Sequence, residues 1–253
     1  MPAYAREAVI EPDGYSSRFE RIKHTLLSTK VHLCPERAAL ITTFFRKHDN
    51  PREPMVVRRA RALRYLLEHK AIQIYPDELI VGTMGTHRIS AIMQPELASV
   101  FMSEELLWID KRKTTPFEMS WRERLRLLFT VHPYWLVRNM ALKAFFPRIH
   151  TMARYVAEQL NATYYLINEA GGIGHFLPNY EKLLKLGLRG YLAALDGRDG
   201  DFYRAARIAC EGLTAYAHRV AATAQTLSEK ERDPGRAAEL KEIARICRKV
   251  PMD

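Results

Sequence analysis

The chain of 253 residues is long enough to bury a substantial core, and its 47% hydrophobic and 10% aromatic content excludes a disordered polypeptide. A net charge of +10 admits acidic ligands or nucleic acid, but the arginines are spread through predicted helices without a nucleic-acid-binding signature, so nucleic-acid binding is not the expected function. Cys34, Cys210 and Cys247 are too far apart for a disulfide framework or a zinc site, and no run is apolar enough for a signal core or a membrane span, so the expected setting is cytoplasmic.

In chain order, residues 1–17 are an irregular lead-in with a turn at Pro12-Asp-Gly14, and 18–253 form the folded unit. Ser16 or Ser17 caps a helix over about 17–29, with Phe19, Ile22, Leu26 and Leu27 at helical spacing. Pro35 opens a second helix through about His48, and Glu36 suits its positive dipole end. A third helix, about 54–69, buries Val57, Ala60, Leu63, Leu66 and Leu67 and turns Arg58, Arg59, Arg61 and Arg64 to solvent or a partner. Leu79, Ile80 and Val81, bounded by Pro76-Asp and Gly82, predict a short strand. The segment 83–95 is an irregular loop with enough apolar residues to lie against a core. A helix over about 103–111 is capped by Ser103 and carries Trp108 as a core residue.

Ser120 caps a helix to about Phe129, which His132-Pro133 breaks. An apolar, aromatic region over 134–145 and a helix over about 148–160 lead to the stretch Asn168-Glu-Ala-Gly-Gly-Ile-Gly-His-Phe-Leu-Pro-Asn-Tyr180. Beyond it, a helix runs from Pro178 to about Leu195. Asp199 caps a long one over 200–230, with Phe202, Ala206, Ala209, Leu213, Tyr216, Val220 and Leu227 inward. Asp233-Pro234 starts the last, to about 248. The fold class is mainly α with a few short strands.

The chemistry is concentrated in the glycine-rich stretch. Gly171, Gly172 and Gly174 permit close backbone approach, and Glu169 and His175 are a candidate pair for acid/base or substrate-orienting work; a helix end and turn with a locally bonded histidine is the plainer reading of the same residues. No Walker loop, Rossmann fingerprint, nucleophile elbow or metal-ligand spacing is present, and Cys210 and Cys247 read as small core residues.

A succession of segments carries a resemblance to glycyl radical enzymes of the pyruvate formate-lyase superfamily. These are Ala60-x-Ala-Leu, Tyr75-Pro-Asp-Glu-Leu-Ile-Val-Gly82, Arg88, Gln94-Pro-Glu96, Gly174-His-Phe-Leu-Pro-Asn-Tyr-Glu-Lys-Leu-Leu-Lys-Leu-Gly187 and Glu242-Ile-Ala-Arg-Ile-Cys-Arg-Lys-Val-Pro251. The likeness spans about 18–251 and is nearer the dehydratase, decarboxylase and lyase branch than pyruvate formate-lyase itself. It implies the N-terminal helical part of an α/β barrel fold, from a family whose members are several times longer. It also implies a small organic substrate, bound in part by His175, Asn168 and Glu169.

In the family a loop cysteine becomes a thiyl radical. A glycine in a C-terminal Arg-Val-x-Gly-Tyr type motif stores the radical, installed by an activating enzyme that uses S-adenosylmethionine and an iron–sulfur cluster. Neither motif occurs in this sequence, and Cys34, Cys210 and Cys247 do not match the catalytic position. The expectation is therefore a fragment or split subunit with no catalytic, cofactor or metal residue of its own, inactive without a C-terminal partner and the activating enzyme. A non-catalytic binding or regulatory remnant is the alternative.

Overall fold

The computed structural model describes residues 17–139 and 179–253, with Arg154, Ala157 and Asn161 between them. The fold is mainly α. Helix α1 (Arg18–Ser28) is capped by the Ser17 side chain, which accepts from the Glu20 amide. It buries no residue; ion pairs of Arg18 with Glu239 and of Arg18 and Arg21 with Asp77 fix it to the body.

Strand β1 (His32–Cys34) leads through Pro35 into α2 (Glu36–Lys47) and α3 (Met55–His69), and the chain then returns to β2 (Ser90–Ile92). The strands are parallel, with Leu33 opposite Ala91. The other edge of β1 is taken by Glu118, whose carbonyl accepts from the Leu33 amide at 2.9 Å and whose amide donates to the Val31 carbonyl at 2.8 Å. The strand expected at Leu79–Val81 does not form among the described residues. The observed strands lie elsewhere because each is only three residues long, too short for alternation to show. The apolar loop 83–95 does lie against the core, with Thr86 and Met93 buried.

Helix α4 (Pro95–Trp108) begins well before the expected Ser103, since Pro95 suits a first helical position. After a 3-10 turn at Ile109–Lys111, α5 (Trp121–Arg126) starts with a capping box: Ser120 accepts from the Glu123 amide, and the Glu123 carboxylate accepts from the Ser120 amide. The expected break at His132-Pro133 is absent. A π turn at Leu127–Val131 leads straight into α6 (His132–Trp135), where Pro133 sits in the first turn and needs no amide donor. Trp108 is 58% exposed rather than core, with the Lys111 ammonium over its ring.

Helix α7 (Tyr180–Ala193) is capped by Asn179 and broken at Gly187, where φ is +57° and a side chain would collide with the Met252 carbonyl. The carbonyls of Pro251 and Met252 accept there from the amides of Leu188 and Arg189 at 2.8 and 3.1 Å. Helix α8 (Asp201–Lys230) and α9 (Pro234–Lys249) form an antiparallel pair, with Asp233 capping α9 as expected. Gly200, not Asp199, precedes α8, because the backbone there takes φ +117°. The inner face of α8 is made of small residues (Ala205, Gly212, Ala217, Ala221, Ala224), which let α3 and α9 approach closely; Phe202 and Leu213 are exposed instead of inward.

One core joins β1, α2, α4 and the π turn through Leu33, Ile41, Phe44, Leu106, Leu127 and Trp135; a second joins α8 and α9 around Ala224, Leu240 and Ile243. Arg58, Arg61 and Arg64 pair with Asp49, Glu53 and Glu68. No helix among the described residues is long and apolar enough to cross a membrane.

Candidate functional site

The residues expected to form the site, Asn168, Glu169 and His175, lie outside the described residues, as do Gly171, Gly172 and Gly174 and the expected helix over 148–160 apart from Arg154 and Ala157. What is described is the frame on either side. On one side the turn after α6 reaches Asn139, which is fully buried and whose side-chain amide donates to the carbonyls of Trp135 and Leu136. On the other, the Asn179 side chain accepts from the Lys182 amide at 3.0 Å and fixes the start of α7, the first helix after the glycine-rich stretch.

Next to that frame sits His132, buried where the π turn meets α6. Its Nδ1 lies 2.6 Å from the Ser99 hydroxyl and 2.9 Å from the Ser103 hydroxyl, while Ser103 also donates to the Ser99 carbonyl. Its Nε2 is buried with no hydrogen-bond partner among the described residues. Burial pushes the imidazole below its usual pKa, so the neutral ring is favoured. Sequence reading treated His132 only as a helix breaker. The signal it passed over is the four-residue spacing of Ser99 and Ser103, which puts both hydroxyls on one face of α4.

A second polar cluster spans elements remote in sequence. His32 on β1 stacks on His87 with ring centroids 3.7 Å apart, and its Nε2 lies 3.1 Å from the Glu123 carboxylate. Burial works to raise the Glu123 pKa, but hydrogen bonds from His32 and from the Ser120 hydroxyl and amide outweigh it and hold the carboxyl at about 2. An open groove of about 490 Å³ runs alongside, lined by Lys30, His32, Asp110, Phe117, Glu118 and Ser120. The groove holds an imidazole oriented by the Glu123 carboxylate. Nothing in the spacing of His32 and Glu123, which lie 91 residues apart, announces the pair.

Since the folded carboxyl titrates at about 2 against an ordinary 4.5, its stabilising effect is present above about 4.5 and is lost as pH falls toward 2. Glu123→Gln is therefore expected to cost about 1–3 kcal/mol near neutrality, with wild type and variant converging at low pH. Urea unfolding of both across that range checks it; a pH-independent difference would mean that the loss is one of packing.

A third cluster holds a buried amine. Lys70 donates to the Thr83 carbonyl at 2.5 Å, lies 5.0 Å above the Tyr216 ring, and is pushed below its usual pKa by burial. It closes the end of α3 over α8.

None of the cysteines has the setting of a reactive thiolate. Cys34 is buried against the Thr86 hydroxyl at 3.3 Å, and burial raises the pKa of Cys210 and Cys247. Among the described residues, no group of three His, Cys, Asp or Glu side chains is placed to hold a metal ion.

With this frame in place, comparison with known proteins is informative. The sequence matches the family described as pyruvate formate lyase-like over residues 11–253. It is 29% identical to isethionate sulfite-lyase of Desulfovibrio desulfuricans, over 92% of this chain and 30% of that protein. A solved glycyl radical enzyme from Archaeoglobus fulgidus superposes with a TM-score of 0.82 at 32% identity, over 94% of this chain and 31% of that one. The B12-independent glycerol dehydratase from Clostridium butyricum gives 0.79 at 28% identity, over 96% and 32%. The chain thus spans about 30% of the length of the relatives it matches, and its mostly helical fold is that of about 31% of a solved glycyl radical enzyme. The expected resemblance thus holds over nearly the whole sequence: the chain belongs to the pyruvate formate lyase-like family of glycyl radical enzymes.

Proposed function

We propose that this chain is the N-terminal part of the catalytic unit of a glycyl radical enzyme of the lyase, dehydratase or decarboxylase branch, acting on a small organic substrate. The observation that carries the reading is the match over residues 11–253 to a family whose matched relatives are about three times longer. The thiyl-forming cysteine and the radical glycine then reside in polypeptide beyond these residues. That accords with Cys34, Cys210 and Cys247, which are buried or raised in pKa and have no role in the chemistry. The radical, installed by an activating enzyme with S-adenosylmethionine and an iron–sulfur cluster, supplies hydrogen-atom transfer.

What this chain contributes is the substrate wall. His175 binds a substrate hydroxyl and accepts its proton, Asn168 and Glu169 orient it, and the glycines bring the backbone close enough to keep water out. The Asn179 cap fixes the start of the helix that directly follows the stretch carrying these residues.

Two measurements test the reading. The coding DNA beyond codon 253, in phase or in a neighbouring frame, is expected to encode a cysteine loop and a terminal glycine motif; finding neither there nor elsewhere in the genome favours a non-catalytic binding module. In the anaerobically activated assembly, His175→Ala is expected to lower kcat/KM by about a hundredfold or more, with the glycyl radical signal in electron paramagnetic resonance unchanged. Turnover equal to wild type would take His175 out of the site.

A further inference from the structure

We infer that the outward face of the continuous helical run α5–π turn–α6 docks an amphipathic α-helix of another polypeptide, one that sets a row of carboxylates beside a row of apolar side chains. The inference is independent of the reaction proposed above. The run has two faces. Leu127, Val131 and Trp135 go into the core with α2 and α4. The opposite face meets water, yet it is not the polar face that a surface helix normally shows there. Trp121 is 65%, Leu125 41% and Phe129 73% exposed, and Val137, on the turn after α6, is 70% exposed. These residues recur at every fourth position, with the exposed Pro133 between the last two. A four-residue step overshoots one α-helical turn by about 40°, so such a row would wind around a plain α-helix. The π turn holds more residues per turn and takes that drift back, which keeps the apolar row in line.

A basic row runs beside it. Arg122, Arg126 and Arg138 each follow an apolar member by one residue and are exposed with it. The Arg122 guanidinium lies 5.4 Å over the Trp121 ring, and Arg138 and Arg46 of α2 lie 4.6 and 5.1 Å from the centre of the Tyr134 ring. Among the described residues, none of these four arginines forms an ion pair. Elsewhere arginines are engaged: Arg58 with Asp49, Arg61 with Glu53, Arg112 with Glu105 and, on α5 itself, Arg124 with Asp110.

Charge and shape select the occupant. Two copies meeting through this face would set arginine against arginine. Residues 140–178 carry two carboxylates, Glu158 and Glu169, against Lys143, Arg148 and Arg154, so that part of the sequence offers no acidic row. An anionic bilayer calls for a wide apolar face on a basic helix, whereas this apolar row is one side chain wide and its inner side is committed to the core. A partner helix fits instead, its apolar side chains between Trp121, Leu125 and Phe129 and its carboxylates on the guanidiniums. Because Leu127, Val131 and Trp135 anchor the run, the surface is formed before the partner arrives.

The probe is a labelled, helix-forming synthetic peptide with a leucine row and a glutamate row, and its match has lysine for each glutamate. Titrated with the whole chain and followed by fluorescence anisotropy, the glutamate peptide is expected to bind and the lysine peptide not to. Phe129→Asp is expected to weaken binding by about tenfold or more, and so is the double variant Arg122→Glu, Arg126→Glu. The double variant is expected to take up the lysine peptide instead. Leu27→Asp, at an exposed residue of α1, leaves binding unchanged. All four substituted side chains are exposed, and circular dichroism checks that each variant keeps its helices.

Failure of the glutamate peptide to bind overturns the inference, as does equal binding of the two peptides or a charge reversal without effect. Sedimentation of the chain with phosphatidylserine–phosphatidylcholine vesicles that Phe129→Asp abolishes overturns it in favour of a membrane surface. Self-association that Phe129→Asp abolishes overturns it in favour of a second copy.

Discussion

Trp135→Ala is expected to destabilise the chain by about 3–5 kcal/mol, the largest effect of any single side-chain truncation in the α2–α6 core. Trp135 is 5% exposed and packs edge-on against Phe45 and Tyr134, at ring-centroid distances of 5.5 and 5.1 Å. Its Nε1 donates to the Thr42 hydroxyl at 2.8 Å, which itself donates to the Ala38 carbonyl at 2.6 Å. Truncation leaves a void where α2 and α6 meet and removes a hydrogen bond formed out of water. Trp135→Phe separates the two losses. It keeps most of the volume, and Thr42 keeps its own acceptor, so the expected cost is about 1–2 kcal/mol. Urea unfolding followed by circular dichroism at the helix band measures both without relying on indole fluorescence. A Trp135→Ala variant within about 1 kcal/mol of wild type would mean that this core relaxes far more readily than its packing implies.

Gly212→Val is expected to cost about 3 kcal/mol by overpacking. Gly212 lies where α8 crosses α3, and a Cβ there would stand 2.9 Å from the Arg64 Cα. That neighbour is main chain, so no rotamer change relieves the contact and the two helices must separate. The smaller Gly212→Ala variant makes the argument sharper. Alanine is the better helix former by about 1 kcal/mol, yet the expected net effect is still a loss of about 1–2 kcal/mol. Thermal and urea midpoints of the two variants decide it. A raised midpoint for Gly212→Ala would show that α3 and α8 stand further apart than described.

The legible parts of this fold were those written in local chemistry. Ser17, Ser120 and Asp233 cap helices with their own side chains, and the bounds of α1, α3, α8 and α9 follow within a residue or two of the sequence expectation. What escaped is non-local. The β1–β2 pair depends on a crossover through two helices, and three-residue strands leave no periodic trace. The inner face of α8 was misjudged because size was read as burial. Phe202 and Leu213 look like core residues, yet close approach to α3 and α9 selects Ala205, Gly212 and Ala221 instead. Trp108 went the same way.

The site was legible in a different sense. Glu169 and His175 stand out in the sequence by their glycine-rich setting, their proposed role comes from the family resemblance, and both lie outside the described residues. Of the polar clusters, the one around His132 left only the Ser99–Ser103 spacing in the sequence, and the pairing of His32 with Glu123 left nothing, because the partners meet only in three dimensions.

The break at Gly187 carries a consequence for how this chain comes apart. Leu188 and Arg189 on α7 are fastened to Pro251 and Met252, just past the end of α9. That fastening draws a loop of backbone closed around the α8–α9 hairpin, a non-covalent clasp with the topology of a staple. The inner half of α7 and the end of α9 therefore open as one cooperative unit with the hairpin between them, and the outer half, ahead of the glycine, frays by itself. The helix that follows the glycine-rich stretch thus has two stabilities. Its inner half takes the rigidity of the longest helix described here, and its outer half moves apart from it.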